Sequence, residues 1–236
     1  MTLETLQQDW QDTPEHHIHT NDLFKSLMEQ DPELNEHRTW VRERVFGMGE
    51  DSFHWFWKLM VDEMPADFSF LECGVHKAQV VSLIRLLASR LRKPANIYGI
   101  TPMNGAGTGW TEDDYEGDIK KIHQQFELPM PKLLKGYSQE KLAVQWAAVI
   151  SPFDVVYLDG DHTFDGVTAD LTNYAPMVKS GGYLVMDDCA CDTHQPWGFF
   201  QGIQEVQDAF DEYMKVHGDN WGFMFNVVHL RVMRRK

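Results

Sequence analysis

The 236-residue sequence is poor in cysteine, has no long apolar run and is short of positive charge. Its three cysteines, Cys73, Cys189 and Cys191, are too few and odd in number for a disulfide framework, which points to a reducing compartment. No apolar stretch approaches the roughly 18 to 20 residues that cross a bilayer, so no membrane span is expected. The opening residues, MTLETLQQDWQD, lack the basic start and apolar centre of a secretory signal. A cytoplasmic protein is the expectation. Lysine and arginine number 21 against 36 acidic residues, a formal net charge of -15. A surface of that sign repels phosphate backbones and argues against general nucleic-acid binding. Phosphate-cradling patterns are missing too. Gly74 is followed by Val75, His76, Lys77, Ala78 and Gln79, which fits neither the G-x-G-x-x-G dinucleotide fingerprint nor a P-loop.

What is present is an alternation of strand and helix patterns. Buried strands are expected over Asp67 to Val75, Asn96 to Ile100, Lys132 to Lys135, Asp154 to Leu158 and Tyr183 to Met186, with a hairpin over Trp221 to Val232. Helices are expected between them. Val80, Val81, Ile84, Leu87, Ala88 and Leu91 share one helical face; Leu142, Trp146 and Ile150 another; Phe164, Val167, Leu171 and Tyr174 a third. This alternation predicts an α/β class, a doubly wound, mostly parallel sheet with a terminal β-hairpin. Residues 1–66 read as a helical N-terminal cap interrupted at Pro14, Pro32 and Gly47-Met48-Gly49, and residues 67–236 as the α/β domain. The aromatic run Phe53-His54-Trp55-Phe56-Trp57 reads as the face that packs the cap onto that domain, with a substrate wall as the alternative. His16, His17 and His19 read as an exposed cluster without a role.

Two of the strands end abruptly in acids. Asp154 to Leu158 runs into Asp159-Gly160-Asp161-His162, and Tyr183 to Met186 into Asp187-Asp188. Neighbouring parallel strands deliver their C-terminal ends to one edge, where such sheets bind ligands. Carboxylates gathered there are costly unless a cation is present or a proton is shared. Asp161 or Thr163 alternatively caps the following helix. Cys189, Cys191 and His194 do not have a standard zinc spacing.

Taken together, Glu72-x-Gly74 after the first strand, Gly99-Ile-Thr-Pro102 after the second, Asp159-Gly-Asp-His162 after the fourth and Lys179-Ser-Gly-Gly-Tyr-Leu-Val-Met-Asp-Asp188 at the fifth resemble the Rossmann-like class I S-adenosylmethionine-dependent methyltransferases. More narrowly they resemble the metal-dependent sugar O-methyltransferases of the macrocin type. The resemblance covers about residues 66 to 192. It implies that Glu72, Cys73, Gly74, Thr101, Ser138 and Asp159 line the S-adenosylmethionine site, with Glu72 near the amino group. It implies Asp159, Asp187 and Asp188, the first two 28 positions apart, as ligands for Mg²⁺ or a similar cation. Asp161 and His162 are then the candidate general bases. Ala78 stands where the family commonly has glycine. The implied activity is Mg²⁺-assisted O-methylation of a small polyhydroxylated, sugar- or glycoside-like molecule of secondary metabolism, with a homo-oligomer as one possible assembly. The alternatives are a catalytically silent relative that binds the cofactor or a partner, and another metal-dependent enzyme on the same fold.

Overall fold

The structure is a computed structural model that describes residues 1–104, 114–189 and 202–236. The glycine-rich stretch after Asn104, and Cys191 and His194, lie outside the described residues. The chain runs through α1 (Leu3–Asp9), α2 (Pro14–Gln30), α3 (Pro32–Arg44), α4 (Ser52–Glu63), β1 (Phe68–Cys73), α5 (Gln79–Arg90), β2 (Ala95–Thr101), α6 (Tyr115–Gln125), β3 (Lys132–Lys135), α7 (Lys141–Ile150), β4 (Phe153–Leu158), α8 (Phe164–Tyr174), β5 (Val178–Met186), α9 (Gln204–His217), β6 (Trp221–Val227) and β7 (Leu230–Arg235). Pro14 and Pro32 do not break helices. Each sits in the first turn, where its missing N–H costs nothing, behind a Thr13 or Asp31 cap.

The seven strands form one sheet in the order β3-β2-β1-β4-β5-β7-β6. The first five pair in parallel, and β7 runs antiparallel between β5 and β6. β1 and β4 are buried along their whole length, as strands covered on both faces must be. Strand alternation sorts their side chains. Phe68, Phe70, Val155, Tyr157, Tyr183 and Val185 join one core with α4 and α5; Leu71, Cys73, Val156, Leu158, Leu184 and Met186 join another with α7, α8 and α9.

Residues 1–66 are more than an appendage. Leu3, Phe24, Met28, Leu34, Phe56 and Trp57 belong to the same core as the sheet face, so these helices form one of the two layers around the sheet. Trp57 packs edge-on against both Phe70 and Tyr157, with ring centroids 5.6 and 5.0 Å away. Two expected helix faces need correction. Leu142 is 64% exposed, and α7 instead buries Ala143 and Ala147, whose small side chains let the helix lie close to the sheet. Phe164, at the start of α8, is 37% exposed while Val167, Leu171 and Tyr174 are buried.

Candidate active site

The strand order reverses between β1 and β4, and there the chain opens a cavity of about 920 Å³. The parallel ladder continues one step past the strand ends. Gly74 N–H donates to Ile100 O (2.9 Å), Asp159 N–H to Cys73 O (2.8 Å) and Asp187 N–H to Leu158 O (3.0 Å). Gly74, Asp159 and Asp187 are thereby held in a row along the rim. Gly74 has φ +96°, and a Cβ on it would stand 1.7 Å from the Asp159 carbonyl oxygen. Only glycine permits this approach of the two turns. Ala78, where glycine is common, adopts a left-handed φ of +67° just before α5 begins.

The acids meet as expected, with partners the sequence reading did not name. Tyr157 Oη–H reaches Asp187 Oδ2 at 2.8 Å and Asp159 Oδ2 at 3.2 Å. His162 Nε2 lies 3.7 Å from Asp159 Oδ1 and 3.4 Å from Asp188 Oδ2. His229, on the β6–β7 turn, places Nε2 3.2 Å from Asp187 Oδ1 and 3.7 Å from Asp188 Oδ1. Asp187, Asp188 and His229 each offer a ligand atom within 4.8 Å of the others. The expected trio Asp159, Asp187 and Asp188 is therefore joined by a histidine, with Asp159 alongside, tied in through Tyr157. His229 was legible in principle. The antiparallel register pairs Met186 with Arg231, and extending it by two residues sets Asp188 opposite His229. Cys189 N–H donating to His229 O at 2.9 Å holds that turn in place.

The protonation pattern follows from burial and crowding. Burial, then the Asp187 charge, raises the Asp159 carboxyl well above the usual range. Burial also acts to raise Asp187, but the His229 charge and hydrogen bonds from His229, Tyr157 and Asp159 outweigh it and leave its pKa lowered. The two carboxyls titrate as a pair, with Asp159 the one that burial and crowding push up. Asp188 is raised to about 6, by burial and then by Asp187. The nearby Asp159 carboxyl, with Asp188 and Asp187, lifts His162 to about 9 against the opposing effect of burial. His229 is also lifted to about 9, because Asp187 and Asp188 outweigh burial. Two imidazolium ions among these carboxylates carry the charge that one divalent cation would supply. The clustered oxygens suit a hard cation, and a neutral imidazole suits its borderline alternatives.

The remaining expected residues separate. Glu72 is buried on the cavity side; Val81 N–H donates to its carboxylate, and burial followed by the Asp159 charge raises its pKa well above the ordinary value. Gly74, Thr101 and Ser138 also line the cavity. Ser138 Oγ–H donates to Asp170 Oδ2 at 3.0 Å. Cys73 does not line it. Strand alternation turns its side chain into the opposite core, and only its backbone reaches the site. Asp161 lines the cavity but is exposed, and its Oδ1 accepts from Thr163 N–H at 2.9 Å, while Thr163 Oγ1 accepts from Gly166 N–H and caps α8. Of the two candidate bases, His162 is the one among the carboxylates. Phe53, His54 and Trp57 line the same cavity, so the aromatic run of α4 is both packing face and wall.

Comparison with known proteins agrees with this geometry. A family model described as a methyltransferase domain matches residues 71–189, half of the chain. An uncharacterized protein of Acanthamoeba polyphaga mimivirus is 25% identical over 156 residues, 63% of this chain and 64% of that protein, so the match spans less than two thirds of the relative. Among solved structures, the S-adenosylhomocysteine-bound methyltransferase PaMTH1 of Podospora anserina superposes with TM-score 0.63 at 14% identity, covering 92% of this chain and 96% of that one. The TDP-rhamnose 3'-O-methyltransferase CalS11 of calicheamicin biosynthesis gives TM-score 0.55 at 14% identity over 97% and 98% of the two chains. MycE of the mycinamycin pathway, in complex with Mg, S-adenosylhomocysteine and mycinamycin VI, gives 0.55 at 18% identity over 86% of this chain and 54% of its own. At such identities the likeness is one of fold. With a family match over half of its length, across the strands that open the cavity, the chain belongs to the methyltransferase-domain family.

Proposed function

We propose that the protein is an S-adenosylmethionine-dependent O-methyltransferase, assisted by Mg²⁺ or a similar divalent cation, acting on a hydroxyl of a small polyhydroxylated molecule. One observation carries this reading: Gly74, the cofactor-side turn, is in backbone contact with Asp159, the first residue of the acidic cluster. A donor site and a hydroxyl-activating site therefore share one cavity. The sugar O-methyltransferases among the structures of similar fold are consistent with a sugar- or glycoside-like acceptor of the macrocin type.

Bound S-adenosylmethionine supplies an electrophilic sulfonium methyl, and a divalent cation held by Asp187, Asp188 and His229 with Asp159 supplies a Lewis acid that acidifies a hydroxyl. Glu72 and the turn from Gly74 to Ala78 hold the amino-acid end of the cofactor. Asp187 and Asp188, with His229, would hold the cation against which the acceptor hydroxyls are placed. His162, relieved by the cation of the proton the acids hold on it, presents Nε2 to take the hydroxyl proton, with Asp188 Oδ2 3.4 Å away to steady the imidazolium so formed. Phe53 and Trp57 exclude water from one wall.

Isothermal titration with S-adenosylhomocysteine tests the core of this reading. A one-site isotherm is expected, and no heat of binding at millimolar ligand overturns it.

A further inference from the structure

The cavity wall facing the N-terminal helices contains a chain of hydrogen bonds that ends on an unused nitrogen. His54, on α4, is 1% exposed and lines the cavity. Its Nε2 lies 2.9 Å from His37 Nδ1, and His37 Nε2 lies 3.0 Å from Ser82 Oγ. Ser82 Oγ in turn lies 3.0 Å from the carbonyl oxygen of Gln79. His54 Nδ1 has no hydrogen-bond partner among the described residues.

Counting protons fixes the direction of the chain. If the Ser82 hydroxyl donates to Gln79 O, then His37 Nε2–H donates to Ser82 Oγ and His54 Nε2–H donates to His37 Nδ1. Three bonds form, and His54 Nδ1 is left as a bare lone pair. If instead Ser82 donates to His37, the Gln79 bond is lost, only two bonds remain, and a buried N–H is orphaned at His54. Buried N–H groups without partners are rarer than under-used acceptors, so the first direction holds. Both rings stay neutral in this arrangement, since burial lowers the pKa of each.

A second buried acceptor lies on the same cavity. Glu72 Oε2 is without a partner, while Val81 N–H donates to the carboxylate. The two groups are tied to successive residues of the first turns of α5, Glu72 to Val81 and His54, through His37, to Ser82. Two desolvated acceptors fastened to one helix start call for a ligand group with several donors. The acidic lining of the cavity, with Glu50, Glu72, Asp159, Asp161, Asp187 and Asp188, favours a cation. An ammonium has both properties; a hydroxyl has one donor and no charge.

We propose that His54 is a ligand-positioning residue whose Nδ1 accepts a hydrogen bond from the α-ammonium of the bound cofactor, with the His37–Ser82 chain holding its ring in the acceptor tautomer. This rests on the methyltransferase reading above. It gives the N-terminal helices a part in binding as well as packing.

The test compares S-adenosylhomocysteine with its analogue lacking the α-amino group, each titrated into wild-type protein, His54→Phe and Ser82→Ala. Thermal melts check that both variants are folded. A bond to a charged donor predicts that His54→Phe weakens S-adenosylhomocysteine about tenfold or more and the deamino analogue less than about twofold. Ser82→Ala, which leaves the cavity lining intact but frees the tautomer, should show the same selectivity at a smaller size, about threefold. Equal weakening of both ligands in His54→Phe, or no weakening of either, overturns the proposal. Weakening of the deamino analogue by Ser82→Ala as large as that of the parent overturns the tautomer argument. Failure of the wild-type protein to bind either ligand is a different result, and it removes the methyltransferase reading along with the proposal.

Discussion

Single side chains decide the chemistry of the rim. Asp187 meets Tyr157 and His229 at once, and its charge helps to raise the pKa of Asp159 beside it. Removing Asp187 takes away one of the three ligand atoms gathered with Asp188 and His229. In wild-type protein, Mg²⁺ at about a hundred times its dissociation constant should stabilise the fold by about 2.7 kcal/mol and raise the thermal midpoint by several degrees. In Asp187→Ala that Mg²⁺-dependent rise should vanish; a rise of the wild-type size would show that the acids do not hold the cation. Gly74 is a second such position. With φ +96° and the Asp159 carbonyl where a Cβ would be, Gly74→Ala has to strain its backbone and force the two turns apart. A loss of about 3 kcal/mol in denaturant unfolding is expected, with cofactor binding abolished. A fully stable variant would mean that the contact between the turns is not needed.

At the scale of elements, the strands and the mostly parallel sheet they form were readable because apolar runs bounded by glycine and acids have few other uses. The acids at the ends of β4 and β5 were readable for the same reason, since a parallel sheet must deliver them to one edge. His229 was harder to read. Its approach to Asp188 depends on a hairpin that folds back beside β5, a contact made across more than 40 positions of sequence. The faces of α7 and α8 were blurred because helical spacing alone does not distinguish Leu142 from Ala143 as the inward residue, and the small alanines won by allowing closer packing. For α4 the packing signal outweighed the wall reading, and the helix does both because its aromatic face is long enough to reach from the core to the cavity.

The loop that leads into α4 shows how one side chain organises an element. Arg38, buried on α3, donates from Nε to Asp51 Oδ1 at 2.7 Å, from Nη1 to Met48 O at 3.2 Å and Gln79 Oε1 at 2.9 Å, and from Nη2 to Gly49 O at 2.5 Å. It thus fastens Gly47–Gly49, a wall of the cavity, to the start of α5. Arg38→Ala takes from Gly49 O its donor and leaves Asp51 with the looser Arg42 contact at 3.5 Å, at a cost of about 3 kcal/mol. The dissociation constant for S-adenosylhomocysteine should rise severalfold while the far-UV spectrum stays native. Unchanged affinity would show that the loop takes no part in the site.

For the whole molecule, the layer formed by residues 1–66 makes stability depend on pH through the buried histidine pair. Burial, then the charges of Arg38 and His123, lowers His37 to about 3, and burial also lowers His54 well below its ordinary value. A histidine with a depressed folded-state pKa stays neutral in the fold while the unfolded chain takes up a proton. Its contribution is therefore full above about pH 6.5 and is lost as pH falls below that value, until His37 itself titrates near 3. At pH 5 His37 alone accounts for about 2 kcal/mol of lost stability. Asp170 works in the opposite sense. Raised to about 7 mainly by burial, it binds its proton first in the folded state and adds stability as pH drops through that value. The two effects overlap in the wild-type profile, so the histidine term is best read as a difference. Unfolding free energies of wild-type protein and His37→Gln, measured by denaturant between pH 7.5 and 5, should converge by about 2 kcal/mol as the solution is acidified. A constant gap over that range would mean that the pair is not neutral and buried in the folded protein, and that the N-terminal helices do not couple the fold to pH in this way.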